Sequence, residues 1–120
     1  MLVQVGAILA TGNTAVIQAS SKARAALNSL PADILARIVI VEQIDEAANL
    51  RGLLFEGEET DLLALTGRVA ERKGPIIQIQ SLTPARMVAG DDYDLARLLE
   101  ECSISTNTAA AGGNASLMSL

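Results

Sequence analysis

Apolar and polar positions change in blocks along this chain, and the blocks set the expected elements. From Leu2 to Ala10 the only polar side chain is Gln4, which predicts a helix covered on most sides or a segment lifted from a larger fold. Gly12-Asn13 reads as a turn, and Ala15, Val16 and Ile17 as a short strand of a covered parallel sheet. Ser20 or Ser21 can cap the helix that follows, since Ala23, Ala26, Leu27 and Leu30 keep helical spacing up to Pro31.

Ile38, Val39, Ile40 and Val41 make an unbroken β-branched run, which predicts a strand buried on both faces. A second short strand, Leu53, Leu54 and Phe55, closes at Gly57. Beyond it Glu58, Glu59 and Asp61 suit a helix N-terminus, with Leu62, Leu65 and Val69 as its inward face and Lys73-Gly74-Pro75 as its stop. Residues 76–80 begin a further strand, and residues 81–92, with Pro84 and Gly90, read as a surface loop. Asp92 can then cap a helix carrying Leu95, Leu98 and Leu99, which leads into a last strand at residues 103–106. Strands alternating with helices at this spacing predict an α/β fold, a mainly parallel sheet with helices on both faces.

Composition narrows what such a fold can do. At 120 residues, half of them hydrophobic, the chain can bury one modest core; one Tyr and one Phe leave Leu, Ile, Val and Ala to fill it. A net charge of -5 without clustered Lys or Arg leaves no electrostatic footprint for nucleic acid. The absence of His excludes a His-based triad, a His-containing zinc site and a His proton shuttle. A single Cys excludes an internal disulfide and a zinc-thiolate cluster, so no metal site is expected. No apolar run is long enough to span a membrane and the start lacks a basic signal-peptide region, so a cytoplasmic protein is expected. Core-like sequence directly after Met1 suggests a piece of a longer protein, with Met1 either native or supplied for expression.

The last residues carry an unusual pattern. From Ser103 onward no side chain ionises, and the chain closes on Leu117, Met118 and Leu120, which predicts a segment buried against something. Ala109, Ala110 and Ala111 can pass through a narrow space, and Gly112-Gly113 supplies a turn open to positive φ. Composition alone leaves open whether this segment packs on its own domain or on a partner. Cys102 reads as a structural thiol, because neither a base nor a Gly-Gln-x-Cys context surrounds it.

The run Ser103-Ile104-Ser105-Thr106-Asn107-Thr108-Ala109-Ala110-Ala111-Gly112-Gly113-Asn114-Ala115-Ser116-Leu117-Met118 resembles the C-terminal signature of the long forms of the proline utilization A family. These are bifunctional bacterial enzymes joining a flavin-dependent proline dehydrogenase to an NAD-dependent glutamate-semialdehyde dehydrogenase. Cys102 stands where the family pattern has Arg. The resemblance covers nearly the whole chain and is weakest at residues 82–93.

Earlier segments are similar to the nucleotide-binding domain of aldehyde dehydrogenases, with each functional position altered. Ile8-Leu9-Ala10-Thr11-Gly12-Asn13-Thr14-Ala15-Val16-Ile17-Gln18-Ala19-Ser20 is similar to the stretch in which that family has Ala-Gly-Asn-x-Val-Val-x-Lys-Pro-Ser-Glu, with Gln18 in place of the Lys that holds the adenosine ribose and Ala19 in place of the Pro. Phe55-Glu56-Gly57-Glu58-Glu59 resembles Phe-Thr-Gly-Ser-Thr near the pyrophosphate, where the carboxylates of Glu58 and Glu59 would repel an anion; on their own they read as complements to a helix dipole. Gln78 falls near the general-base Glu of Leu-Glu-Leu-Gly-Gly and cannot usefully accept a proton. The resemblance therefore implies a degenerate Rossmann-like domain at residues 1–106 with neither catalytic nor cofactor-binding residues of its own, FAD and NAD belonging to the parent enzyme.

It also implies a role. Residues 107–120 are expected to be a docking or lid segment, with Asn107, Thr108, Ala109, Ala110, Ala111, Gly112, Gly113, Asn114, Leu117 and Met118 contacting the parent's catalytic domains and sealing the cavity through which the intermediate passes. The alternatives are a self-standing oligomerisation module and a small NAD-binding dehydrogenase module. Self-association of the isolated chain is expected in either noncatalytic reading, with no nucleic-acid partner and no membrane span.

Overall fold

The computed structural model describes residues 1–100. Helix α1, Leu2–Ala10, ends at the turn where Gly12 adopts φ 82°, a left-handed conformation that needs no side chain. Strand β1, Ala15–Gln18, follows, then α2, Ser21–Leu27, whose cap is Ser20: its hydroxyl accepts the Ala23 amide. A one-turn helix α3, Ala32–Leu35, begins directly after Pro31 and leads to β2, Ile38–Val41. A short 3-10 turn, Ile44–Glu46, precedes β3, Gly52–Glu56, and α4, Glu59–Ala70. After β4, Gln78–Leu82, come α5, Pro84–Val88, and a second 3-10 turn, Leu95–Leu98.

Every strand pairing is parallel, as the alternation of elements predicts. Ala15 to Gln18 run beside Ile38 to Val41, and Gly52 to Glu56 beside Gln78 to Leu82. The expected single sheet is not formed among the described residues: β1-β2 and β3-β4 are two separate pairs. No backbone hydrogen-bond ladder joins β1 to β3 among the described residues. The pairs are linked instead by α1, which packs against β1 and sends Gln4 to β3.

Local expectations are corrected at several points. Residues 81–92 are not a plain loop, because Thr83 caps α5 by accepting the Arg86 amide and Pro84 sits in its first turn, where a missing N–H costs nothing. Strand β4 begins at Gln78, leaving Ile76 99% exposed, and the cap of the last turn is Asp94 rather than Asp92. Exposed Leu2 and Val3, with Val5 the one buried residue of α1, fit the second reading of that helix, a segment of a larger fold, and half-exposed Val39 shows that β2 is not buried on both faces.

The core lies on the second pair. Leu53 of β3 packs with Leu65 and Val69 of α4, flanked by Ile44, Phe55, Ile77 and Ile79. Ala15 of β1 and Leu27 of α2 are fully buried as well. Arg72 ties the loop before β3 to α4 by donating to the Ala47 carbonyl at 2.7 Å, and Arg68 reaches Asp45 at 3.2 Å.

Candidate functional site

Gln18, Glu58, Glu59 and Gln78, the positions at which the sequence departs from a nucleotide-binding pattern, do not converge. Gln18 ends β1, and its Oε1 accepts the Ile44 amide at 3.1 Å, so the side chain is already committed to holding the loop after β2. Glu58 is the N-cap residue of α4, without a side-chain cap bond, and Glu59 opens the helix; both carboxylates are exposed. They are placed to complement the helix dipole. Gln78 starts β4 opposite Gly52, at the other end of the strand pair from Glu58. Of the four, Gln18 alone lines the main cleft.

That cleft, about 1360 Å³, runs between the two strand pairs. Its walls are Val16, Ile17 and Gln18 of β1 and all of β3, with Gln4, Val5 and Ile8 of α1 and Asp61, Ala64, Leu65 and Arg68 of α4. Leu98, Leu99 and Glu100 lie along it too. Its volume exceeds the roughly 300–1,000 Å³ of small-molecule pockets. Among the described residues no cluster of His, Cys, Asp or Glu is arranged to hold a metal ion, and no helix is long and apolar enough to cross a membrane.

At one end of the cleft is a polar network that sequence patterns did not single out. Gln4 donates from Nε2 to the Leu54 carbonyl at 3.1 Å and to the Tyr93 hydroxyl at 3.3 Å, and Tyr93 donates to the Phe55 carbonyl at 2.9 Å. The Met1 ammonium meets Glu56 at 2.9 Å. Burial raises the pKa of the Tyr93 phenol above its ordinary value; the Gln4 hydrogen bond works in the opposite sense, and the Glu56 carboxylate adds to the rise. Beside this network Gln80 and Asp94 exchange two hydrogen bonds, the Gln80 amide donating to the Asp94 carbonyl at 3.0 Å and the Asp94 amide donating to Gln80 Oε1 at 2.8 Å. Each partner is conspicuous by itself, Gln4 as the lone polar residue of an apolar helix and Tyr93 as the chain's one tyrosine, but nothing in the sequence joins them. Cys102 and the docking residues Asn107, Thr108, Ala109, Ala110, Ala111, Gly112, Gly113, Asn114, Leu117 and Met118, with the 106/107 boundary, lie outside the described residues.

Fold and site together define an α/β unit of two parallel strand pairs, joined by a structural polar network and open along a cleft. Known proteins give that unit a place. The chain is 37% identical over 118 residues to the bifunctional protein PutA of Rhizobium meliloti, covering 98% of this chain and 10% of that protein. Against the bifunctional PutA proteins of Escherichia coli K12 and Salmonella typhimurium LT2 the identities are 35% and 34%, in each case over 99% of this chain and 9% of the relative. The chain is thus similar to a segment of these PutA proteins and spans about a tenth of their length. No protein-family model and no solved structure matches it.

Proposed function

We propose that this chain is the noncatalytic C-terminal domain of a PutA-type enzyme that oxidises proline to glutamate, and that it closes the cavity through which the intermediate passes between two active sites. The observation that carries the reading is the match over 98–99% of the chain to only 9–10% of the bifunctional relatives, a proportion suited to one domain of a larger protein. FAD and NAD belong, in this reading, to catalytic domains elsewhere in the parent. The altered positions favour it as well. Gln18 has lost the cationic donor and spends its amide on a loop, Glu58 and Glu59 set negative charge at the helix start, and Gln78 lies at the opposite strand end.

The proposed fold relationship is to a degenerate aldehyde-dehydrogenase nucleotide-binding domain, supported by parallel pairing throughout and by β-α-β connections on both strand pairs. Docking falls to residues 107–118. Ala109, Ala110, Ala111, Gly112 and Gly113 let two backbones approach closely, Asn107, Thr108 and Asn114 can pair with exposed backbone, and Leu117 and Met118 anchor in apolar pockets. Sealing works by exclusion: an intermediate that cannot escape to solvent is more often converted. Exposed Leu2, Val3, Leu63, Val88 and Leu99 offer the domain body apolar surface for the same contact.

Binding in trans tests the docking. The full chain, added to a PutA-type enzyme from which the equivalent segment has been deleted, should form a complex in analytical ultracentrifugation, and removal of residues 107–120 should abolish it. Binding that survives that removal unchanged would exclude the segment as the docking element.

A further inference from the structure

Strand β2 pairs with β1 along one edge and has no strand on the other among the described residues. In a strand the N–H and C=O of one residue point to one side and those of the next residue to the other. Ala15 stands opposite Ile38 and its amide donates to the Arg37 carbonyl, so Arg37, Val39 and Val41 face β1 while Ile38 and Ile40 turn their backbone groups outward. No backbone hydrogen bond from another described element reaches those outward groups. Natural sheets blunt an open edge with Lys, Pro or a bulge. This edge has none of them: Ile38-Val39-Ile40-Val41 is uncharged, β-branched throughout and in unbroken register with β1, and Val39 is 50% exposed.

The charges sit just outside the strand and are opposite in sign. Arg37 precedes it, fixed in place by donating from Nη2 to the Gly12 and Asn13 carbonyls at 2.6 and 2.9 Å. Glu42 follows it, exposed and without an ion pair among the described residues.

We propose that the outer edge of β2 pairs with the same edge of a second copy of this chain, antiparallel about a two-fold axis at Val39. Charge selects a second copy in this direction. Antiparallel pairing brings the Arg37 end of each β2 to the Glu42 end of the other, on both sides of the axis, whereas a parallel match would set like charges together. Symmetry selects the register, because a two-fold axis normal to the sheet must pass between a residue and its own counterpart. Centred on Val39, the outward groups of Ile38 meet those of the second copy's Ile40 in hydrogen-bonded pairs, and Val39 covers Val39 in the closer, non-hydrogen-bonded pair. A centre at Ile40 would set Ile38 against Glu42, and a centre at Ile38 would set Ile40 against Ala36, where α3 ends. Two strands by themselves make a marginal sheet, and the pairing joins two such sheets into one of four strands. The inference concerns two copies of this chain alone and does not rest on a part in a PutA-type enzyme.

Amide hydrogen exchange of the full chain, followed by NMR at single residues over a range of protein concentrations, tests the pairing without any substitution. As sedimentation shows dimer forming, exchange at the Ile38 and Ile40 amides should slow at least about 10-fold, and at Val39 and Val41, turned to β1, far less. Oxidative cross-linking supplies an independent measure of the register. Val39→Cys in a Cys102→Ser background should form a disulfide between copies under oxidised glutathione, because residues opposed in a non-hydrogen-bonded pair have Cα atoms about 4.5 Å apart, inside the range of about 4.4–6.8 Å that a disulfide spans. Val88→Cys in the same background, on α5 and 90% exposed, should cross-link at least about 10-fold more slowly. A chain that stays monomeric, or a dimer whose Ile38 and Ile40 amides remain open to exchange, would overturn the proposal whether or not either variant folds. Protection of these amides at every concentration would overturn it too, showing an edge covered from within the chain, as would cross-linking at Val39→Cys no faster than at Val88→Cys.

Discussion

Tyr93 is the residue whose chemistry is most closely tied to the fold. It is 6% exposed, and its hydroxyl both receives Gln4 and donates to the Phe55 carbonyl, so one side chain links the loop after α5 to α1 and β3. Tyr93→Phe should cost about 1–2 kcal/mol in denaturant unfolding, the net worth of its hydrogen bonds plus a partly orphaned amide on Gln4. Because the folded-state pKa of the phenol is raised, the folded protein holds its proton where the unfolded chain begins to lose it. The stabilisation is complete below the unfolded tyrosine pKa of about 10 and is lost as pH rises through the folded value. Tyr93→Phe should flatten that alkaline decline, which pH-dependent thermal melts would register. Leu27 of α2 offers a purely apolar counterpart: fully buried, it should cost about 2–5 kcal/mol on Leu27→Ala.

At the scale of elements, local pattern and structure agree wherever a single periodicity decides. Ser20 before an Ala/Leu stripe, the β-branched Ile38–Val41 and the Leu65/Val69 face of α4 needed no information from elsewhere in the chain. Ser20→Ala and Thr83→Ala should each remove about 1 kcal/mol by leaving a helix-start amide unpaired, measurable by chemical denaturation. Thr83-Pro84 was itself a helix-start signal, hidden by reading Pro84 and Gly90 as loop punctuation. The apolar pair Ile76-Ile77 drew the expected strand two residues too early, since nothing local says which isoleucine meets β3. Ile76→Lys, at an almost wholly exposed site, should therefore change stability by less than about 0.5 kcal/mol. The Gln4-Tyr93 network was illegible for a related reason: its partners lie 89 residues apart, and no period joins them.

For the whole molecule, the arrangement of strand pairs and the exposed apolar residues count for more than any one element. The sequence shows that strands and helices alternate, but not that β1 and β3 share no ladder among the described residues, because strand order depends on contacts between distant segments. Leu2, Val3, Leu63, Ile76, Val88 and Leu99 all reach solvent in the isolated chain. Its apparent mass in sedimentation should therefore rise with concentration, and a strictly monomeric chain would count against a body made to be covered by a larger enzyme. The central claim is most directly tested by the time course of NADH formation from proline in a PutA-type parent, with and without the segment equivalent to residues 107–120. A sealed cavity predicts no lag in the intact enzyme and a lag when the segment is deleted, with each active site unimpaired when assayed alone. Equal time courses, with the deleted enzyme still correctly assembled, would contradict the lid and leave this domain a part in assembly only.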